Sequence, residues 1–120
     1  MRNSSTFLRF LHLTQAIASQ WGNSKLDLTA LRLLEIVAVT HYQGKPLTVT
    51  DAMNLGFIAS PATLHRKLDQ LRETGFINLA FEGKNRRTKF IIPTSSAGKY
   101  FEQMGDALVI ASTSHSPFHK

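Results

Sequence analysis

The sequence contains no cysteine. Disulfides, thiolate-bound metals and cysteine nucleophiles are therefore excluded, and nothing demands an oxidising compartment. Long apolar runs are missing too, so no stretch has the length needed to span a bilayer. The N-terminus carries one arginine and then the polar run Asn3-Ser4-Ser5-Thr6, which is not a secretion signal. The expectation is a cytoplasmic protein with no membrane partner. Catalytic signatures are absent as well. Gly56 and Gly83 stand alone rather than in a phosphate-binding loop, there is no paired-carboxylate pattern, and no serine sits in a Gly-x-Ser-x-Gly elbow. Neither an enzymatic activity nor a cofactor is expected. His115 and His119 have the spacing of a helical metal pair, but the composition around them argues against a helix, so no metal is expected either.

Negative charge is scarce. Eight Asp and Glu stand against 14 Lys and Arg, a formal charge of +6. The cations are also unevenly placed. Arg66, Lys67, Arg72, Lys84, Arg86, Arg87 and Lys89 put half of them in one fifth of the chain, opposed there only by Asp69, Glu73 and Glu82. Such a cluster suits an anionic partner, of which nucleic acid is the commonest. The length of 120 residues fits one domain with a real core, and the 42% hydrophobic content is that of a globular protein.

The punctuation of the chain predicts mainly helix with a small β-hairpin, an α+β class in the order α-α-β-α-α-β-β-α. Residues 7–21 have Phe7, Phe10, Leu11, Ile17 and Trp21 near helical spacing, with Thr6 as a cap and Gly22-Asn23-Ser24 as the break. A second helix over residues 28–42 has Asp27 as its cap and a wide apolar face of Leu28, Leu31, Leu34, Ile36, Val37 and Ala38, which marks it as the central core helix. Leu47-Thr48-Val49 reads as extended. Thr50 is the expected cap of a short helix over residues 51–55, stopped by Gly56. Ser60-Pro61 opens the next helix, which runs to Thr74 and stops at Gly75. Alternation at Ile77, Leu79 and Phe81 gives a strand, residues 82–87 a polar turn, and Phe90 and Ile92 the returning strand up to Pro93. A last helix spans about residues 95–110, with Tyr100, Phe101, Met104 and Leu108 on one side. This divides the chain into an N-terminal helix (1–24), a central domain (25–94), a C-terminal helix (95–111) and a flexible tail (112–120).

Two helices joined by a tight turn and followed by a basic hairpin make a winged helix-turn-helix. Small Ala52 lets the helices cross closely, and Gly56 is expected at the positive φ that turns the chain. Leu64, Leu68 and Leu71 form an i, i+4, i+7 stripe that anchors the second helix. Ala62, Thr63, His65, Arg66, Lys67 and Gln70 are then candidates for the DNA-facing side, with Arg66 suited to a guanine and Thr63 and His65 to base edges or phosphate. Ser60 and the free N–H groups at the helix start suit a phosphate. The hairpin residues Lys84, Asn85, Arg86, Arg87 and Lys89 are candidates for backbone or minor-groove contact, which sets affinity and register more than sequence choice. Asp69 falls at i+3 from Arg66, the spacing of an ion pair.

The segment from Leu47 to Tyr100 resembles the MarR-type (multiple antibiotic resistance regulator) winged-helix transcription regulators. The residues that carry the resemblance are Leu47-Thr48-Val49-Thr50-Asp51-Ala52, the run Ser60-Pro61-Ala62-Thr63-Leu64-His65-Arg66-Lys67-Leu68-Asp69-Gln70-Leu71, Gly75-Phe76-Ile77, Asn85-Arg86-Arg87-Thr88 and Pro93-Thr94, with Leu26-Asp27-Leu28 fitting the same pattern. Asn85 stands where the family's wing usually has an acid. The resemblance implies a sequence-specific double-stranded DNA binder, repressor-like and homodimeric through its terminal helices. It also implies a small-molecule effector pocket, for which His41-Tyr42 is the nearest candidate; a histidine at a helix C-terminus is equally accounted for by the helix dipole. Two other readings share the fold: a winged helix used as a protein-interaction module, and a replication or partition protein of a plasmid or phage.

Overall fold

The computed structural model describes residues 2–21, 26–81, 83–84 and 86–113. It contains α1 (Arg2–Gln20), α2 (Leu28–Tyr42), α3 (Val49–Met53), α4 (Pro61–Glu73), β1 (Ile77–Phe81), β2 (Lys89–Pro93) and α5 (Ser95–Thr113). The strands pair antiparallel, with Ile77 opposite Pro93 and Phe81 opposite Lys89. The class is therefore α+β, mostly helical with one hairpin, as expected. The chain forms two compact units, Lys25–Ala97 and Met1–Ser24 with Gly98–Lys120.

The first unit is built on α2, whose Ala30, Leu33, Leu34 and Val37 are buried. Asp27 caps this helix by accepting from the Ala30 N–H at 2.8 Å. The expected inward side included Leu28, but Leu28 is the first helical residue and is 74% exposed. α2 lies against α4 and β2, and α3 lies against α4. Leu64, Leu68 and Leu71 of α4 close the core together with Ala52, Phe76, Ile77 and Ile91. Each such leucine contributes on the order of 1.5–3 kcal/mol by leaving water.

Three local expectations need correction. Thr48, not Thr50, caps α3: its hydroxyl accepts from the Asp51 N–H while the Asp51 carboxylate accepts from the Thr48 N–H, both at 3.0 Å. Asp51 has this spacing only from Thr48, which decides between the two threonines. The extended piece before α3 shrinks accordingly to a bridge between Thr48 and Phe90, with the Ile91 N–H donating to the Leu47 carbonyl at 2.8 Å. Gly56 does not have a positive φ. α3 already ends at Asn54, and the turn closes through the Ile58 N–H on the Leu55 carbonyl at 2.9 Å. The positive φ of 83° belongs to Gly75, just past the Thr74 cap of α4.

In the second unit α1 and α5 run antiparallel. The Arg9 guanidinium donates twice to the Ala111 carbonyl, at 3.2 and 2.7 Å. At the other end the Trp21 indole donates to Gln103 at 2.7 Å and meets Tyr100 edge-on at 5.9 Å. α1 starts at Arg2, so Thr6 lies inside the helix rather than capping it. Ile17, Ala107 and Ala111 are buried, whereas Phe7, Leu8, Leu108 and Val109 are exposed. Leu108 therefore does not share the inward side with Tyr100 and Phe101. Ser112 and Thr113 still belong to α5, which outlasts its expected end. Gly22-Asn23-Ser24 and the histidine pair His115 and His119 lie outside the described residues.

Candidate nucleic-acid interface

α4 is set from both ends. The Ser60 hydroxyl accepts from the Thr63 N–H at 3.3 Å and donates to the Thr63 hydroxyl at 3.1 Å, and Pro61 holds the first helical position. Its missing N–H is one the helix would leave unpaired anyway. At the other end the Gly75 N–H donates to the Arg72 carbonyl and the Phe76 N–H to the Leu71 carbonyl, at 3.0 and 2.9 Å. The Thr94 hydroxyl donates to the Gly75 carbonyl and accepts from the Ala97 N–H, joining the end of α4 to the start of α5.

With Leu64, Leu68 and Leu71 buried, the other sides of α4 are open. Ser60, Ala62, His65 and Arg66 are exposed, and Thr63 and Gln70 are half-buried. Asp69 does not pair with Arg66. Its carboxylate lies 3.4 Å from the His65 imidazole, one helical turn back. Lys67 behaves differently from its neighbours. Its side chain is only 15% exposed, and its ammonium donates to the Asp27 carboxylate at the start of α2. That bond, with the Ala30 N–H beside it, holds the Asp27 carboxyl below its ordinary range.

The hairpin carries four more cations. Lys84, Arg86, Arg87 and Lys89 are all exposed, and Asn85 lies outside the described residues. The Arg86 guanidinium and the Lys89 ammonium lie 5.4 and 5.6 Å from the centre of the Phe81 ring. Between this wing and the start of α3 runs a groove of about 550 Å³, lined by Thr48, Thr50, Phe81, Arg86, Arg87 and Lys89 among others. It joins the start of α3 to the wing, and its charged lining is three cations, Arg86, Arg87 and Lys89, beside one acid, Asp51.

Two partners escaped sequence reasoning. Asp27 is forty positions from Lys67, and no local pattern links them. Phe81 was more accessible: it faces Lys89 in the hairpin register, and cross-strand neighbours interact.

Solved structures share this framework. RV1404 from Mycobacterium tuberculosis superposes with a TM-score of 0.58 at 18% identity, over 98% of this chain and 78% of that one. The heme sensor PefR from Streptococcus agalactiae, in complex with heme, gives 0.57 at 14% identity, over 92% and 76%. Reduced AbfR bound to DNA gives 0.51 at 18% identity, over 98% and 73%. This is the MarR-type winged-helix fold. Against AbfR in its disulfide form the match covers only 66% of the AbfR chain. No family model matches the sequence, and no curated protein matches it significantly. In MarR-type terms α3 and α4 are the helix-turn-helix and β1–β2 is the wing. No helix among the described residues is long and apolar enough to cross a membrane.

Proposed function

We propose that this chain is a sequence-specific double-stranded DNA-binding transcription regulator of the MarR type, acting as a repressor. α4 enters the major groove with Ala62, Thr63, His65, Arg66 and Gln70, and Ser60 with the first N–H groups takes a phosphate. Lys84, Asn85, Arg86, Arg87 and Lys89 hold the flanking backbone. The observation that carries this reading is the coincidence, in one compact unit, of a leucine-seamed helix open on its polar side and an exposed cationic hairpin.

Two protomers read half-sites about one helical turn or a small multiple apart. Exposed Phe7 and Leu8 of α1 and Leu108 and Val109 of α5 favour association of the terminal helices. Selection of bound sites from a pool of random duplexes is the test. A recovered motif with two-fold symmetry supports the reading. Recovery of unenriched sequence, with no retention of duplex at low salt, rejects it in favour of a protein-interaction role.

A further inference from the structure

Lys67 sits among the helix residues that sequence reasoning assigns to DNA, and its surroundings give it another task. On a helix each residue advances about 100°. Lys67 therefore falls about 60° from Leu64, on the edge of the buried seam, while Arg66 falls on the far side. Its exposure of 15% agrees with that placement. The chain of methylenes covers the rim of the seam, and the ammonium at its end is spoken for by Asp27.

Asp27 is a suitable anchor because it is itself fixed. One carboxylate oxygen accepts from the Ala30 N–H at 2.8 Å as the cap of α2, and the other accepts from Lys67. The leucine seam holds α4 against α2, but apolar contact has no direction and leaves rotation of the helix about its own axis weakly defined. A charge-assisted hydrogen bond at the edge of the seam has direction. It opposes that rotation. The rotation in turn decides which of Ala62, Thr63, Arg66 and Gln70 meets a given base edge.

We propose that Lys67 is a positioning residue that sets the rotation of the recognition helix through Asp27, and is not a DNA contact. This rests on the DNA-binding reading above. The lowered Asp27 pKa fits, since it keeps the carboxylate charged for the bond.

The test uses the full chain, one duplex recovered by selection and a scrambled duplex of equal length. Lys67→Met keeps the stem and removes the charge. It is expected to cut discrimination between the two duplexes by roughly tenfold, within the range of couplings between directly bonded side chains. The slope of log affinity against log salt stays that of the wild type. Asp27→Asn retains a good cap, and is expected to give a similar loss. The double variant is expected to be no worse than either single one, and Lys67→Arg to recover most of the discrimination. A phosphate-contacting Lys67 would instead flatten the slope by about one unit, weaken both duplexes alike, and add its loss to that of Asp27→Asn. That pattern overturns the proposal, as does unchanged discrimination in Lys67→Met. Circular dichroism of each variant establishes that the chain titrated is folded. If Lys67→Met is not folded, Asp27→Asn decides: lost discrimination supports the proposal and unchanged discrimination overturns it. If the wild type binds neither duplex, the DNA reading itself fails, a result distinct from any of these.

Discussion

The Arg86 guanidinium lies over the Phe81 ring, 5.4 Å from its centre, with the Lys89 ammonium 5.6 Å from the same point. One aromatic side chain thus gathers two of the four wing cations. At an exposed site such a contact contributes about 0.5–1 kcal/mol. Its importance is geometric: two long side chains that would otherwise wander are held beside one groove.

Phe81→Leu is therefore expected to weaken binding to every duplex by about two- to fivefold, the equivalent of one exposed cation–π contact. The salt slope should not change, because no charge is removed. Phe81→Tyr should bind as the wild type does. Filter binding over a salt series measures both quantities, and an unaltered affinity for Phe81→Leu would show that the ring has no part in presenting the cations.

Arg66 and Arg86 should fail in different ways. Arg66→Ala is expected to cost about 1–3 kcal/mol at one base position and to relax preference there. Arg86→Ala is expected to weaken all sequences alike and to flatten the salt slope by about one unit. Competition binding against single-base variants of a selected duplex separates the two. A uniform loss for Arg66→Ala would move that residue from base to phosphate.

Two glycines close to the recognition helix make a matched pair. Gly75, at φ +83°, is in the left-handed region that side chains avoid, whereas Gly56 is not, and a methyl group there meets nothing within 4 Å. Gly75→Ala should destabilise by roughly 1 kcal/mol. Gly56→Ala should be neutral or stabilising by up to about 1 kcal/mol, through a less disordered unfolded chain. Urea midpoints would show the contrast, and equal effects at the two sites would contradict the assigned backbone.

How much of this is legible in the sequence varies with the range of the interaction. The bounds of α4 are written in Ser60-Pro61 and Thr74-Gly75, and those of α2 in Asp27 and Gly44, because caps and breakers act on their neighbours. The Thr48–Asp51 capping box is equally local, yet Thr50 stands closer to the first acid and draws attention away from it; the three-residue spacing is the signal that matters. The start of α1 is not legible, since residues 2–6 are polar and carry no apolar periodicity. Lys67 is hidden for a deeper reason. Helix arithmetic puts it at the rim of the seam, but only tertiary contact supplies the carboxylate that claims its charge.

That ion pair also predicts an acid-side effect on stability. The Lys67 ammonium first, and the Ala30 N–H next, hold the Asp27 carboxyl below its ordinary value of 3.8. Its contribution is present in full above that value and is lost as pH falls through the lower, folded-state one. The stability difference between wild type and Asp27→Asn should then be constant from neutral pH down to about 4 and shrink below it, as linkage requires. Thermal melts from neutral pH to about pH 2 would follow it. A difference that stays flat to the lowest pH would mean that the carboxylate is not held by these partners.

The most direct measurement is the equilibrium affinity of the whole chain for a selected and a scrambled duplex, followed from low to physiological salt. The account predicts binding to both at low salt, a log–log slope steep enough for several phosphate contacts, and a preference for the selected duplex that persists as salt rises. No binding at low salt, or binding without any preference, would contradict it.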